Sequence, residues 1–272
     1  QLESLGYHVW EQRFEVTLPL NGDRVTATNI WGIPSPDGPT APALMLSAHW
    51  DTRPWADQEP GTIKPTLPGA NDGGSGVAAA LEIARQLASH PTSTSVVLAF
   101  WDAEDAGIQS DLDSWALGAQ HASLNPPPWI DRVTLGINLD MVGGEDLYMR
   151  RETYSIESAP KAVEALWTIG RALSPRRFSG EAPILMVDDH LPWIHAGLPF
   201  VDMIGWPYAH WHRRSDSPEN CSAESLQAVG LTVLHYIIGG EWRKHGRPVG
   251  GPPPASHLDI DVDSGVGEDV RS

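Results

Sequence analysis

A single cysteine, Cys221, stands among 272 residues. One thiol excludes an intramolecular disulfide framework and any metal site built on several thiolates. Basic residues are scarce too: 18 Lys and Arg face 35 Asp and Glu, for a net charge of −17. Phosphate backbones and anionic lipid surfaces are held by clustered Lys and Arg, so this balance argues against a nucleic-acid partner and against charge-driven membrane adhesion. No apolar run approaches the roughly 18 residues that a membrane-crossing helix needs, and no internal repeat is present.

What is abundant is of another kind. Eleven histidines and 35 carboxylates offer nitrogen and oxygen ligands, so a metal bound here would be held without sulfur. Twelve tryptophans are many for this length. Trp50, Trp55, Trp101, Trp193, Trp206 and Trp211 lie in or beside the segments that carry chemistry, which points to an aromatic-lined pocket. A hydrophobic fraction of 41% suffices for a sizeable core.

Alternating residues over 7–19 and 24–32, with Asn21-Gly22 between them, predict a hairpin. Four short apolar runs, 43–48, 96–101, 133–139 and 199–204, read as buried strands. Helical spacing predicts helices over about 76–89, 112–123, 159–173 and 222–242. Strands alternating with helices imply one α/β domain: a mixed, mostly parallel central sheet flanked by helices, with the N-terminal antiparallel hairpin at its edge. The catalytic domain is expected over 1–245, and 246–272, Gly/Pro-rich and then acidic, as a disordered tail. Asp259, Asp261 and Asp263 in that tail have the spacing that opens a calcium loop, but its twelfth position is Val270, so the stretch reads as solvated acid.

Three strands end in a residue able to hold a metal: His49, the adjacent pair Glu104-Asp105, and Asp140. Two loops add Asp72, in Asn71-Asp72-Gly73-Gly74-Ser75-Gly76, and His212, after Trp211. A lone His or Asp at a strand end is usually structural. Five such positions converging at the carboxyl ends of one sheet, where α/β proteins bind ligands, are not. Mixed His and carboxylate ligation suits catalytic zinc or a pair of divalent ions. Glu104, beside a ligand, fits a general base or acid. Ser47 and Ser75 lack a Gly-x-Ser-x-Gly setting, and His190, His195 and His210 read as surface or hydrogen-bonded side chains, His190 with some claim to the site through its motif.

In this order, His49-Trp50-Asp51, Gly69 through Gly76, Asp102-Ala103-Glu104-Asp105, Asn138-Leu139-Asp140 and the late His212 resemble the zinc-dependent aminopeptidase superfamily. Three features resemble its glutaminyl-peptide cyclotransferase (glutaminyl cyclase) branch: Asp188-Asp189-His190-Leu191-Pro192-Trp193, the Trp211-His212 pair, and the long stretch from Glu104 to Gly118-Ala119-Gln120-His121. The resemblance implies cyclisation of the N-terminal glutamine of a peptide or protein to pyroglutamate, with release of ammonia. It implies one zinc on Asp72, Asp105 and His212, with His49 and Asp140 at the positions that hold a second zinc in the aminopeptidases. It makes Glu104 the proton shuttle, Asp140 and Asp188 its hydrogen-bonding neighbours in the site, and Trp211 with Trp206 or Tyr208 the pocket walls. Asp105 departs from the glutamate of the animal enzymes, and Ile108, Gln109 and Ser110 stand where those enzymes carry a tryptophan. Arg213-Arg214 follow the last ligand, placed to face either the downstream peptide or solvent. Two alternatives stay open: a two-zinc aminopeptidase releasing amino acids, and a non-catalytic binding domain on the same fold. Related bacterial enzymes are often exported, so export or a cell-envelope location is expected; no oligomeric state is implied.

Overall fold

The computed structural model describes residues 1–61, 64–90, 94–178 and 182–250. Strands β1 (His8–Thr17) and β2 (Arg24–Ile33) form the expected hairpin, paired antiparallel from His8 opposite Ile33 to Thr17 opposite Arg24. The four apolar runs become β3 (Ala43–His49), β4 (Ser95–Trp101), β5 (Val133–Asp140) and β6 (Phe200–Ile204). The sheet order is β1-β2-β4-β3-β5-β6. The hairpin joins it through an antiparallel β2–β4 contact, and the other three contacts are parallel. This is the mixed, mostly parallel α/β sheet that the sequence predicts.

Side chains alternate across a strand, so each β3 residue serves one of two cores. Leu44, Leu46 and Ala48 pack with α1 (Gly74–Ser89), α4 (Pro160–Leu173) and α6 (Ala223–Gly239). Ala43 and Met45 pack on the other face with α2 (Leu117–Leu124) and α5 (His190–His195). Covering both faces is what makes these strands read as mainly apolar runs. The chain leaves β3 through α1 to β4 on one side, then returns to β5 on the other. The carboxyl end of β3 is therefore the point where strand order reverses, the ordinary place for a ligand crevice.

Several expectations shift. The helix expected from 112 begins only at Leu117, after one 3-10 turn (Leu112–Ser114) and an Ala116 with φ of +55°. Side-chain hydrogen bonds take over there: Gln120 Nε2 donates to the carbonyls of Asp113 (2.8 Å) and Trp115 (2.7 Å), and Ser114 Oγ accepts the Ile108 N–H (2.7 Å). The last long helix stops at Gly239, where Gly240 with φ of +73° closes it in a left-handed cap. Two six-residue helices, α3 (Thr153–Ser158) and α5, are too short to show a period in the sequence. Trp101 and Trp193 belong to the core. They are buried and pack edge-on against Trp31, at 5.1 and 6.1 Å between ring centroids. Just past the expected boundary of the domain, the Arg247 N–H donates to Thr134 O (2.8 Å). Residues 251–272, with the acidic Asp259–Asp263 stretch, lie outside the described residues. Among the described residues no helix is long and apolar enough to cross a membrane.

Candidate metal centre

β3 and β5 end on His49 and Asp140, and β4 ends on Trp101, just before the acidic turn. That turn is clamped from outside. Asp51 accepts the N–H groups of Glu104 (3.1 Å) and Asp105 (3.2 Å), while Ala103 takes a φ of +56°. The two neighbouring carboxylates are thus aimed by backbone hydrogen bonds rather than by their own length. Asp72 is set by a second clamp: Asp216 accepts the N–H groups of Asn71 (2.9 Å) and Asp72 (3.1 Å) and the Tyr208 hydroxyl (2.8 Å). Gly73 follows with a φ of +92°, and a Cβ there would lie 2.2 Å from Asp51 O. Only glycine lets that loop close on the end of β3.

All five expected ligands meet in two sets that share Asp72. In one, His212 Nε2 lies 3.0 Å from Asp105 Oδ1 and 3.8 Å from Asp72 Oδ2. In the other, His49 Nε2 lies 3.0 Å from Asp140 Oδ1 and 3.3 Å from Asp72 Oδ1. Every one of these side chains is buried. In the first set each residue keeps a buried atom without a hydrogen-bond partner: Asp72 Oδ2, Asp105 Oδ2 and His212 Nε2. Buried polar atoms are normally satisfied, and three converging donors of this kind fit a cation. Three nitrogen and oxygen donors fit catalytic zinc, which keeps its fourth position for water or substrate. In the second set His49 Nε2 is already occupied by Asp140.

Burial pushes the Glu104 carboxyl well above its usual range; the nearby His49 opposes this, and the charges of Asp105, Asp189 and Asp188 add to it. Burial likewise raises Asp105 to about 6 and Asp140 to about 7. For His212, burial is outweighed by the neighbouring carboxylates of Asp105 and Asp57, which hold it at about 8. All three shifts have one sign: the folded protein binds these protons more tightly than the unfolded chain. Their stabilisation is complete below the unfolded values, about 3.9 for Asp and 6.5 for His, and is lost as pH rises through the folded ones. The melting temperature of chelator-treated protein is therefore expected to fall between about pH 4 and pH 8, with zinc raising it most at the alkaline end. Calorimetry with and without zinc measures this; a flat metal-free profile would contradict it.

Asp140 and Asp188 each make a hydrogen bond within the site. Asp140 is engaged with His49, and Asp188 Oδ2 accepts from Asn138 Nδ2 at 3.1 Å. The residue missed is Asp189, whose two carboxylate oxygens are buried without a partner and whose charge raises Glu104. It was visible in the Asp-Asp-His run, but which of two adjacent acids faces the site depends on where α5 starts. His190 is wholly buried and bonds Glu152 Oε2 at 3.2 Å. His210 bonds Ser215 Oγ at 2.8 Å, away from both ligand sets.

The support behind His212 was also missed. Its Nδ1 lies 3.1 Å from Asp57 Oδ1, and Arg53 Nη2 donates to Asp57 Oδ2 at 2.6 Å. Arg53 Nη1 donates to Asp105 O at 3.0 Å, and the guanidinium sits 5.0 Å from the Trp115 ring centre. A carboxylate behind a ligating histidine fixes its ring and tautomer. Burial would raise Asp57, but its bonds from His212 and Arg53 hold it down at about 2. Both residues lie in the irregular stretch 52–68, where spacing carries no signal. Arg53→Met is expected to weaken zinc affinity about 10–100-fold, read by competition with a chromophoric chelator; unchanged affinity would make Arg53 a packing residue only.

Trp211 stacks on His212 at 3.7 Å between ring centroids, and Trp206 meets Trp211 edge-on at 5.4 Å. Tyr208 shares their cluster while its hydroxyl serves Asp216. Trp115 lies nearly parallel to His212 at 6.0 Å between ring centroids.

Residues 29–237 match peptidase family M28. The chain belongs to that family. Among solved structures, this M28 chain is similar to glutaminyl cyclase from Porphyromonas gingivalis: 34% identity and a TM-score of 0.81 over 88% of this chain and 86% of that one. Aminopeptidase YwaD of Bacillus subtilis (strain 168) is 30% identical over 244 residues, covering 83% of this chain but 48% of that protein. Glutaminyl-peptide cyclotransferase of Boiga irregularis is 24% identical over 227 residues, 72% of this chain and 61% of that protein. The M28 chain thus spans about half to three-fifths of these two longer relatives, and its relatives carry both activities that the sequence left open.

Proposed function

We propose that this M28 chain is a glutaminyl-peptide cyclotransferase, taking a peptide or protein with N-terminal glutamine. The observation that carries this reading is the likeness to the P. gingivalis glutaminyl cyclase over most of both chains. In the Asp72–Asp105–His212 set each residue keeps a buried donor atom without a hydrogen-bond partner, which suits one ion polarising a single carbonyl.

Zinc held by Asp72, Asp105 and His212 would supply Lewis-acid polarisation of the substrate's side-chain amide carbonyl. Glu104 takes the proton that the attacking α-amine gives up and passes it to the departing ammonia. The new bond joins the α-nitrogen to the amide carbon, and the bond to the amide nitrogen breaks. Burial and like charges make Glu104 a stronger base than a solvated carboxylate. Because attack is intramolecular, Trp206 and Trp211 contribute by holding the glutamine folded.

A two-zinc aminopeptidase is the second reading. It is favoured by the His49–Asp72–Asp140 set, whose atoms also lie within ligand reach. Ammonia release from a Gln-peptide, amino-acid release from leucine amide, and zinc per chain separate the two. Ammonia with one zinc is expected; a released amino acid with two zinc ions would reverse the assignment, and neither product would favour a binding domain.

A further inference from the structure

Strand β1 closes one side of the sheet, and among the described residues it pairs with β2 alone. No backbone hydrogen bond among those residues reaches 8–17 from outside the hairpin. The outward N–H and C=O groups of β1 therefore form a row open to another strand. Such edges are commonly blunted by shortness, a bulge, a proline or a lysine. β1 uses none of these. It is 10 residues long, holds no Pro or Lys, and runs in unbroken register from His8 opposite Ile33 to Thr17 opposite Arg24. What remains to keep strands apart is the charge of Glu11, Arg13 and Glu15.

Those charges select a register. In an antiparallel pair, opposed residues share a face, so two copies of β1 keep their faces continuous only with odd numbers opposite odd and even opposite even. The longest overlaps that obey this run over 8–16, centred on Gln12, and over 9–17, centred on Arg13. Centred on Arg13, that residue meets its own copy and Glu11 meets Glu15, all like charges. Centred on Gln12, Glu11 meets Arg13 on both sides of the axis, and Trp10 meets Phe14. Glu11 and Arg13 are already aligned for this: both are exposed, and Arg13 Nε and Nη2 donate to Glu11 Oε2 at 3.1 and 2.6 Å. Each Glu11 would then lie between two arginines, and each Arg13 between two glutamates. The even-numbered face adds apolar area. Trp10 is 36% exposed, and Gln12 Nε2 donates to Asn125 O at 2.9 Å, which places the end of α2 against that face. Leu124, beside Asn125, is 81% exposed. A two-fold axis at Gln12 brings Trp10 and Leu124 of both copies to one side of the joined sheet, and exposed apolar groups gathered in one place mark a binding surface.

We propose that a second copy of this chain pairs antiparallel along β1, about a two-fold axis through Gln12, and so joins the two sheets into one. A two-fold contact uses the same patch on both copies and closes at the dimer. Glu11 and Arg13 belong to neither ligand set, so the contact stands apart from the metal centre and from the cyclisation reading.

Sedimentation equilibrium of the full chain tests this. The parent is expected to dimerise. Glu11→Arg alone sets Arg against Arg, and Arg13→Glu alone sets Glu against Glu; each is expected to raise the dimer dissociation constant by about tenfold or more. Mixing the two variants one to one restores opposite charges at every pair, so the mixture should associate as the parent does, and the double variant should dimerise by itself. Both single variants should keep the parent's zinc content, which separates lost association from lost folding. A parent that is monomeric throughout, a dimer indifferent to either reversal, or a mixture no tighter than its components would overturn the proposal. So would a monomeric parent that binds a labelled Thr-Val repeat peptide, read by fluorescence anisotropy: the edge would then accept foreign strands and not a second copy.

Discussion

Replacing Glu104 with Gln is expected to lower kcat for Gln-peptide cyclisation by about a thousandfold, inside the 10²–10⁴ that a positioned acid or base supplies. Zinc content should stay at that of the unmodified protein. Glu104 contributes no atom to either ligand set. Its position is set by the backbone, through the N–H that Asp51 accepts, so the amide should occupy the same place. What glutamine cannot do is take the proton from the attacking amine. The substitution also removes one of several buried like charges around Asp105, Asp188 and Asp189, so the fold should hold. Steady-state kinetics beside metal analysis distinguish the outcomes: full activity would remove Glu104 from the reaction, and loss of zinc would make it a ligand.

His212→Ala is expected to lose zinc on dialysis, whereas His49→Ala is expected to keep it. Removing a ligand should cost more than the roughly 10–100-fold that losing a supporting partner costs. The histidine is buried, backed by Asp57 and stacked on Trp211, so the imidazole is presented in one orientation. Its loss also takes a cationic partner from Asp105 and Asp57 and leaves them to Arg53, and chelator-treated His212→Ala should melt below the chelator-treated parent. His49 pairs with Asp140 in the set that is already closed. If His49→Ala also empties the site, the ion is shared between both sets and the one-ion reading fails. Asp72→Ala touches both sets and should empty the site in either case.

Much of the fold was legible because burial writes itself into composition. β3, β4, β5 and β6 are covered on both faces, and so each is mainly apolar, with Ser47, Thr134, Asn138 and Asp202 as buried polar exceptions. The hairpin showed as alternation because its residues are alternately exposed. The short helices α3 and α5 left no such trace: six residues are fewer than two turns. The N-terminal break of α2 was hidden for another reason. Leu112 and Trp115 match helical spacing, but the Gln120 and Ser114 side chains satisfy the backbone that a helix would have used.

The sequence by itself determined the metal-capable residues and their order. His49, Asp72, Asp105, Asp140 and His212 follow strand ends or a glycine-rich turn, and the carboxyl edge of an α/β sheet gathers such positions whatever the loops do. It likewise separated Glu104 from Asp105 through family resemblance. Only the tertiary structure decided which donor atoms stay open and which are already paired, because that depends on distances between elements far apart in the chain. Only it showed that Asp189 stands unpartnered near Glu104, that Arg53 and Asp57 reach the ligands from an irregular loop, and that Trp115 stacks beside His212. Each of these rests on the direction of a side chain, and direction is set by backbone turns such as Ala103, Ala116 and Gly73, whose conformations no periodicity in the sequence records.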